Sequence, residues 1–574
     1  MSFKICYIWI REFRNFENFG FNLSSSEKFD FDVQKFRLSK KEISDVPNNF
    51  FGDNISDVAA FIGKNGTGKS NLLELVCKLV KGGKTSVDSD FLIITKDNNK
   101  YKCHYRFENY QPVESTFSIE LLPYSGDIDN LKVIYFSNVY DERNHVFSSK
   151  VSDLSANNRY PRRIRRAMKR TASDFVKQFQ FIRSESFLKS EIPMPKKVVL
   201  SPKLNTQVGS YWQRNYFSNI SLNERFKIEY KKFFTELRAL KPSKNKLYYF
   251  FIYVLISETL SEINQKVRDN MSFESEAEIY TNFLIEEIEK ISLTYKSKLD
   301  IANKWKKWCD DILNLIFKHL ENNSKNIRRV SDLNTLKNGS ALLENFEGFI
   351  DAKEIKISTE GSRNRKIESY IFDFNDSKIT LDKEYYNFID WTNKFHLDWL
   401  GLSSGQKAYL DIFSLIRHDL RNLRVSNVLI CIDEGDLYLH PKWQADFFYK
   451  LVNLVPKFRN AKYQLILTSH SPFLVSDLPK QNLVFLGRDS DNLTSDINKD
   501  DNVKTFAGNL GELYIDAFFM DGNLISRFAA NEIQKVVDKI NRKEKLTTDD
   551  KKVVELIGED LIRIQINNLL NDSN

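Results

Sequence analysis

An eight-residue glycine loop between an apolar run and an amphipathic stretch constrains this chain more than any other feature. The loop follows Val58–Ile62 and precedes residues 71–80, so the sequence predicts a strand, a loop and a helix in that order. Glycines let successive backbone N–H groups point at a phosphate chain, and the helix start adds a positive dipole end. The loop predicted to bind a nucleoside triphosphate consists of Gly63, Lys64, Asn65, Gly66, Thr67, Gly68, Lys69 and Ser70.

Two residues of this loop are expected to carry the chemistry of nucleotide binding. Lys69 is predicted to reach the β- and γ-phosphates, and the Ser70 hydroxyl is predicted to ligate Mg²⁺. The simpler alternative is a glycine-rich turn that only starts a helix. The complete pattern between a strand and a helix disfavours that alternative.

An acidic pair and a histidine follow two apolar runs in the second half of the chain. Val428–Ile432 is apolar throughout, which is typical of a strand buried on both faces, and it ends at Asp433 and Glu434. Asp433 is a candidate for the Mg²⁺ shell, and Glu434 is a candidate general base for the attacking water. His470 follows the predicted strand 464–468, where we expect it to hydrogen-bond the γ-phosphate and sense its loss.

A second anion-binding element precedes the predicted helix 407–420. It consists of Ser403, Ser404, Gly405 and Gln406, and Ser404 and Gly405 are expected to bind phosphate together with the helix start. A single nucleotide site within one protomer does not need two helix starts that bind phosphate. In two protomers that face each other head to tail, however, each nucleotide would contact one helix start from each protomer. We therefore expect a homodimer or higher homo-oligomer in which each copy lends this element to the nucleotide of the other.

Composition narrows the class of protein and the compartment. Hydrophobic residues make up 41% of the chain, which is enough for packed cores, and no run approaches the ~18 apolar residues of a membrane span. The N-terminus is interpreted as a strand, not as a signal peptide. The five cysteines are widely spaced without a CxxC pair, so neither a zinc site nor a disulfide framework is indicated. We expect a cytoplasmic protein that does not contact membranes.

The positive charge is concentrated in one part of the chain. The net charge is +8, and residues 151–200 contain twelve Lys and Arg against four Asp and Glu. Within them, the segment 157–171 is the most basic, and a local basic stripe is typical of nucleic-acid binding. A solvated basic face or an intramolecular ion-pair surface is the alternative, and contact with DNA, RNA or protein stays open.

Hydrophobic periodicity divides the chain into four regions. Strand patterns dominate residues 1–140, including a predicted hairpin in which 91–95 and 101–107 flank the turn-rich KDNNK. Helical periods dominate the insertion 141–350 from residue 223 onward. Strand alternation returns in 351–500, and the C-terminal segment 501–574 is helical and polar, with a possible role in oligomer or partner contact.

The motifs, in this order, resemble the motif set of ATP-binding cassette (ABC) ATPases. The resemblance implies ATP and Mg²⁺ as ligands and an α/β fold: an ABC-type P-loop head, with a mixed central sheet, helices and an antiparallel β arm, interrupted by a large, mainly helical insertion. The long separation between the glycine loop and LSSGQ resembles the RecF/SMC-like branch, where Arg14, in IREFRNF, would lie near the nucleotide. Members of the family usually carry a Gln after the strand that follows the arm, and here Asn138 is the candidate replacement as a metal ligand.

A closer resemblance is carried by four phrases of the second half. LDWLGLSSGQKAYLDIF, CIDEGDLYLHPKWQ, LILTSHSPFLVSDLP and TFAGNLGELYIDAFFMDG are similar to the PtuA-like ATPases of Septu and retron anti-phage systems. That family implies head-to-tail dimers, an HNH nuclease partner similar to PtuB, and in retrons a reverse transcriptase with its RNA–DNA product. Arg488-Asp489-Ser490-Asp491 superficially resembles a Toprim cluster, but it lacks the preceding Glu strand and is interpreted as a loop. No nuclease site of this chain's own is recognised.

Two other functions remain open at this stage. A RecF/SMC-like DNA-repair ATPase would act alone as a clamp on DNA and would show ATP-dependent DNA affinity without a nuclease. A nucleotide-bound scaffold would bind ATP tightly with little turnover. The intact pair Asp433 and Glu434 argues against complete inactivity.

Overall fold

The computed structural model describes the greater part of both halves of the chain. It describes residues 3–43, 49–83, 86–108, 112–143, 145–159, 174–203, 237–251, 354–360, 367–374, 394–489, 493–496, 505–513 and 526–572, with a few isolated positions besides, and for residues 570–572 it describes the backbone alone. The chain divides into two compact units, residues 1–164 with 419–574, and residues 165–418.

The described strands, in chain order, are β1 (Phe3–Phe13), β2 (Phe16–Asn22), β3 (Glu27–Asp32), β4 (Arg37–Glu42), β5 (Ile55–Gly63), β6 (Phe91–Asp97), β7 (Lys100–Arg106), β8 (Glu114–Ser115), β9 (Glu120–Pro123), β10 (Leu131–Ser137), β11 (Val151–Asp153), β12 (Lys197–Pro202), β13 (Lys356–Glu360), β14 (Ile367–Asp373), β15 (Phe395–Leu400), β16 (Asn427–Asp433), β17 (Lys462–Thr468), β18 (Leu483–Arg488) and β19 (Thr494–Asp496). The described helices are α1 (Lys69–Lys81), α2 (Ala156–Arg159), α3 (Asp174–Ile182), α4 (Glu185–Leu188), α5 (Ser404–Leu420), α6 (Pro441–Phe458), α7 (Pro472–Asp477), α8 (Arg527–Asn541), α9 (Thr548–Glu555) and α10 (Asp560–Asp572), with a 3₁₀ turn at Lys480–Asn482.

The central sheet of the unit 1–164 with 419–574 positions the candidate site. Among the described strands its order is β11-β10-β16-β17-β5-β18-β19, parallel throughout except for the antiparallel edge strand β19. Parallel register places Ser137, Asp433 and Thr468 side by side at the strand ends. Helix α1 packs on this sheet through buried side chains, among them Leu72, Leu75 and Val76. The loop before α1 therefore lies at the same edge of the sheet as the acidic end of β16.

Two further sheets of this unit contain its N-terminal strands. β2, β1, β6, β7 and β9 form one sheet, and β3, β4 and β8 form a smaller one. Phe29 and Phe31 of β3 are buried in a core with residues of both sheets, among them Trp9, Leu38 and Leu92. The predicted hairpin is confirmed: β6 and β7 are joined at Asn98 and Asn99, whose φ angles of 47° and 66° are the left-handed values of a type I′ turn.

The unit 165–418 contains a four-stranded antiparallel sheet in the order β13-β14-β12-β15. Trp399 of β15 stacks on Phe175 of α3 with ring centroids 4.6 Å apart, and its indole N–H donates to Gln178 Oε1 at 2.8 Å. β12 is a strand within the region 141–350, for which the sequence predicted mainly helix. Most of the helical patterns predicted after residue 223, and the basic segment beyond Arg159, fall outside the described residues.

Three C-terminal helices, α8, α9 and α10, pack around a small apolar core formed by Val536, Ile540, Val554, Ile557 and Ile566. A capping box starts α9: the Thr547 hydroxyl accepts from the amide of Asp550, and the Asp550 carboxylate accepts from the amide of Thr547. Within the described part of the chain, no helix is long and apolar enough to cross a lipid bilayer.

Candidate active site

The glycine loop begins where β5 ends and closes against the start of α1. Gly66 and Gly68 have φ angles of 82° and 96°, which residues other than glycine rarely adopt. A Cβ atom at Gly68 would lie 2.3 Å from Nδ2 of Asn15, so a side chain there would displace the Asn15 amide, which donates to the carbonyl oxygen of Thr67 at 3.3 Å. The Thr67 hydroxyl donates to the carbonyl oxygen of Lys64 at 2.9 Å and fixes the turn.

Lys69 lies inside this loop. Its Nζ atom donates to the carbonyl oxygens of Gly63 at 2.9 Å and Lys64 at 3.1 Å. Burial lowers the pKa of Lys69 to about 8, although the nearby Glu434 and Asp433 carboxylates favour the charged form. The ammonium group is thus placed where phosphate oxygens could replace two carbonyl oxygens as its acceptors.

Asp433 ends β16 in a buried network of hydroxyl groups. Its Oδ1 atom accepts from the Thr468 hydroxyl at 2.6 Å and from the Ser70 hydroxyl at 3.1 Å. Burial raises the pKa of Asp433, and these two hydrogen bonds oppose that rise. The structure therefore brings together Ser70 and Asp433, two of the three residues predicted to bind Mg²⁺, from distant parts of the sequence. Their hydroxyl and carboxylate oxygens are hard donors, which fit Mg²⁺.

Glu434 and His470 lie side by side next to this network. Glu434 Oε1 is 3.4 Å from His470 Nε2, and the hydrogen bond between them, together with the Lys69 charge, holds the pKa of Glu434 below its usual value despite burial. The Glu434 backbone has a φ of 48°. Its amide donates to the carbonyl oxygen of Thr468 at 3.2 Å and to the hydroxyl at 3.1 Å, so β17 pins the residue in this left-handed conformation.

Asn138 and Arg14 occupy different positions around the loop. Asn138 follows β10, the strand next to β16, and its Nδ2 atom donates to the carbonyl oxygen of Gly435 at 3.4 Å. The Arg14 guanidinium donates to Asn71 Oδ1 at 2.6 Å and pairs with Glu74 at 2.9 Å, so it binds the first turns of α1. The structure thus gives Arg14 a defined partner on the helix that follows the loop.

The second anion-binding element lies in the unit 165–418 and forms a capped helix start. The Ser403 hydroxyl accepts from the Gln406 amide at 3.2 Å, and Gln406 Oε1 accepts from the Ser403 amide at 2.8 Å. This reciprocal pair is a capping box. Ser403 and Ser404 are exposed, whereas Gly405 is buried.

The structure also shows site residues that were not predicted from the sequence. Arg488 donates through Nε at 3.1 Å and through a terminal nitrogen at 2.6 Å to the carbonyl oxygen of Gly66. The Thr494 hydroxyl donates to the carbonyl oxygen of Thr67 at 2.7 Å. The prediction of a loop at 488–491 was wrong at Arg488, which is the last residue of β18 because its backbone pairs with Thr494 of β19.

Thr468 carries a signal that sequence analysis could have used, because it is a polar residue at the end of a predicted parallel strand. Tyr135 and His145, which also reach this network, carry no such local signal. The Tyr135 hydroxyl donates to Asp433 Oδ2 at 3.4 Å, and His145 Nε2 lies 3.4 Å from the same hydroxyl.

One protein family matches part of the chain. Residues 287–476, about a third of the 574, match the family described as "AAA domain, putative AbiEii toxin, Type IV TA system". The matched stretch contains the element 403–406, the acidic pair and His470, and it does not extend to the glycine loop. An AAA domain is a P-loop ATPase domain, so the match supports nucleotide binding by this chain. The glycine loop itself, residues 63–70, precedes the matched residues.

Three relatives are similar to parts of the chain. "Septu protein PtuA" of Bacillus thuringiensis is 30% identical over 148 residues, which cover 24% of this chain and 36% of that protein. "Retron Ec83 probable ATPase" of Escherichia coli is 28% identical over 160 residues, which cover 25% of this chain and 28% of that protein. "Retron Vc95 probable ATPase" of Vibrio cholerae is 26% identical over 201 residues, which cover 33% of this chain and 36% of that protein. The chain thus spans only about a third of the length of each relative. Together with the AAA match, they confirm, at low identity, the resemblance of this chain to PtuA-like ATPases.

Proposed function

We propose that this chain binds and hydrolyses ATP as the ATPase subunit of a bacterial anti-phage defence complex. The observation that carries the ATPase activity is the hydrogen bond of 3.1 Å between Ser70 and Asp433, since it joins the glycine loop to the acidic end of β16. The AAA match and the two retron relatives named as ATPases support the same activity. The Septu and retron names of the relatives support the role in defence.

Each charged group of the site has a distinct role in this proposal. Lys69 exchanges the carbonyl oxygens of its own loop for β- and γ-phosphate oxygens. Glu434 accepts the proton of the attacking water, and its lowered pKa keeps it in the base form near neutral pH. His470, already in contact with Glu434, donates to the γ-phosphate and reports its loss.

Ser70 and Asp433 would hold Mg²⁺, with the amide oxygen of Asn138 as a further candidate ligand. When bound, Mg²⁺ neutralises charge on the phosphate oxygens. The protein's own contribution is to orient the carboxylate of Asp433, which the Thr468 hydroxyl does at 2.6 Å. Arg14 acts near the nucleotide through the start of α1.

The proposed fold is an ABC-type head made from two halves, residues 1–140 and 351–500, with the insertion 141–350 between them. In the proposed head-to-tail dimer, the helix start at Ser403, Ser404, Gly405 and Gln406 binds the γ-phosphate held by the other copy through its exposed residues Ser403 and Ser404. The C-terminal segment 501–574 is proposed to contact the other copy or a partner. Capture of the γ-phosphate between two copies would make dimerisation depend on the nucleotide state.

Glu434→Gln tests the proposed ATPase activity. Removing a general base slows the chemical step by roughly 10²- to 10⁴-fold. Phosphate release from ATP by the purified chain should therefore fall by at least about a hundredfold, while ATP still binds. Glu114→Gln is the matched control, because Glu114 is an exposed residue of β8, outside the glycine loop, the acidic pair and the C-terminal segment, and should leave turnover unchanged. Equal turnover by the Glu434 variant and the wild-type chain would overturn the role of Glu434.

The proposed partners are a small HNH nuclease, similar to PtuB, and nucleic acid, either DNA or a retron RNA–DNA molecule with its reverse transcriptase. The complex is proposed to act in the cytoplasm. Purification of the tagged chain from its own locus with ATP present, followed by mass spectrometry and sequencing, tests this. A stoichiometric nuclease supports the proposal, whereas a bare homodimer contradicts the defence complex and favours a lone DNA-repair ATPase.

A further inference from the structure

A line of buried polar side chains leads from the acidic end of β16 to helix α1. The Tyr135 hydroxyl donates to Asp433 Oδ2 at 3.4 Å, and His145 Nε2 lies 3.4 Å from that hydroxyl. On the other side of the imidazole, Nδ1 is 3.2 Å from Glu74 Oε2. All four side chains are at least nine-tenths buried, with 0% exposure for Tyr135, 2% for Glu74, 3% for Asp433 and 6% for the His145 side chain.

Glu74 anchors the far end of this line as a charged group. Burial alone would raise its pKa, but hydrogen bonds from His145 and Lys78, with the charge of Arg14, hold the pKa at about 2. An ionised carboxylate only accepts hydrogen bonds, so Nδ1 of His145 is the nitrogen that donates to it. The ring is also stacked on Phe147, with an interplanar angle of 12°, which leaves the imidazole one orientation.

The hydroxyl of Tyr135 has a specific task in this arrangement. A buried hydroxyl without a partner costs about 1–3 kcal/mol, and a phenylalanine would fill the same space without that cost. A tyrosine hydroxyl carries one proton, and a charged acceptor forms the stronger hydrogen bond, so the proton is directed at the carboxylate of Asp433. The hydroxyl oxygen then accepts from Nε2–H of His145, which requires a proton on both ring nitrogens. Thr468 and Ser70 already bind Oδ1 of Asp433, and Tyr135 is the donor to Oδ2. Donors on both oxygens fix the plane of the carboxylate.

We propose that Tyr135 is a positioning residue for Asp433, oriented in turn by His145 and Glu74, and that this line of side chains sets the affinity for the magnesium–nucleotide complex. The inference rests on the proposed ATP-binding function of the loop. Because Glu74 is also the partner of Arg14, the same line connects the turn between β1 and β2 to the proposed Mg²⁺ ligand Asp433.

The test measures binding, not turnover, with a fluorescent, non-hydrolysable ATP analogue in Mg²⁺ and in EDTA. Removing a residue that orients a metal ligand lowers metal affinity roughly tenfold or more. Tyr135→Phe should therefore weaken binding in Mg²⁺ roughly tenfold and leave binding in EDTA within about twofold. His145→Phe, which keeps an aromatic ring beside Phe147, should weaken it less. The double variant, with Tyr135→Phe and His145→Phe, should bind the analogue in Mg²⁺ no more weakly than Tyr135→Phe alone, because both substitutions interrupt the same line of side chains.

Tyr463→Phe is the matched control. Tyr463 is equally buried, in β17, and its hydroxyl donates to the carbonyl oxygen of Arg459 at 2.7 Å, at the opposite end of the strand from Thr468. The control should leave both affinities unchanged. Equal affinities for the Tyr135 and Tyr463 variants in Mg²⁺, or equal losses in Mg²⁺ and EDTA for the Tyr135 variant, would overturn the positioning role. No binding by the wild-type chain would instead overturn the proposed function itself, and the positioning role with it.

Discussion

Replacing Thr468 with valine removes one hydroxyl from the centre of the site and nearly preserves the shape of the side chain. Thr468 is 2% exposed, and its hydroxyl makes two hydrogen bonds at once. It donates to Asp433 Oδ1 at 2.6 Å and accepts from the Glu434 amide at 3.1 Å. The variant therefore leaves a buried carboxylate and a buried amide each with one partner fewer.

The expected loss of stability follows from these two bonds. A hydrogen bond to a charged group contributes about 1.5–3 kcal/mol, and one between neutral groups contributes about 0.5–1.5 kcal/mol. The added methyl group of valine recovers somewhat under 1 kcal/mol through apolar burial. With the middle of each range, the net destabilisation of the unit that contains β16 and β17 should be about 2–3 kcal/mol. The pKa of Asp433 should rise further, because the hydrogen bond from Thr468 opposes the effect of burial.

Hydrogen exchange measures this change where it occurs, which matters in a chain of two compact units. The slowest amides of β16 and β17 exchange through opening of the unit, so their rates report its free energy of unfolding. A loss of about 2–3 kcal/mol corresponds to exchange roughly 30- to 150-fold faster. Thr95→Val is the control: Thr95 is 1% exposed, but the contacts of its hydroxyl with described residues are long, at 3.5 Å to the carbonyl oxygen of Lys102 and 3.4 Å to His104 Nε2. If the two variants speed exchange in β16 and β17 equally, the energetic account of Thr468 is refuted.

Three further predictions use other features of the molecule. Gly68→Ala places a Cβ atom 2.3 Å from Asn15 Nδ2, so it should displace the Asn15 amide from Thr67 and Asn71, add backbone strain of about 1–2 kcal/mol and weaken nucleotide binding. Gly83→Ala has a similar φ of 88° and open space around it, so it should cost only the backbone strain; equilibrium nucleotide binding and melting temperatures of both variants check this. Ser404→Arg should prevent the ATP-dependent dimer of the Glu434→Gln chain while leaving the monomer able to bind ATP, as measured by light scattering; a dimer that persists would contradict the head-to-tail arrangement. Burial raises the pKa of Asp477 to about 6, so its ionisation destabilises the fold above that pH and the penalty is relieved as the pH falls from 6 toward 4. Asp477→Asn should therefore raise the melting temperature at pH 7.5 and change it little at pH 4.5; equal shifts at both pH values would contradict the assignment.

Local sequence patterns predict those parts of the site that lie within one strand, loop and helix. The glycine loop between β5 and α1 is one such part, and the acidic pair at the end of β16 is another. Each is encoded in fewer than about 20 consecutive residues, because hydrophobic periodicity and glycine placement are local properties. The same holds for the β6–β7 hairpin.

The remaining site residues depend on strand order, which periodicity does not encode. Tyr135 meets Asp433 only because β10 lies beside β16, and Arg488 meets Gly66 only because β18 lies beside β5. The neighbours come from distant parts of the chain, so nothing in the sequence around them marks the contact. For the same reason, the family resemblance implied a position near the nucleotide for Arg14, and no local pattern indicated its bond to Glu74.

The order of strands in the central sheet has a consequence for synthesis on the ribosome. In the sheet, the late strands β16 and β17 lie between the early strands β10 and β5. β10 and β5 are therefore not joined within the sheet until β16 and β17 have been synthesised. Roughly 290 residues separate the end of β10 from the start of β16, which takes about 15 to 60 s at typical bacterial elongation rates. During that interval the nascent chain carries β5 and β10 with unpaired edges, which are templates for aggregation. The nascent N-terminal half should therefore depend on chaperones until Thr468 has left the exit tunnel.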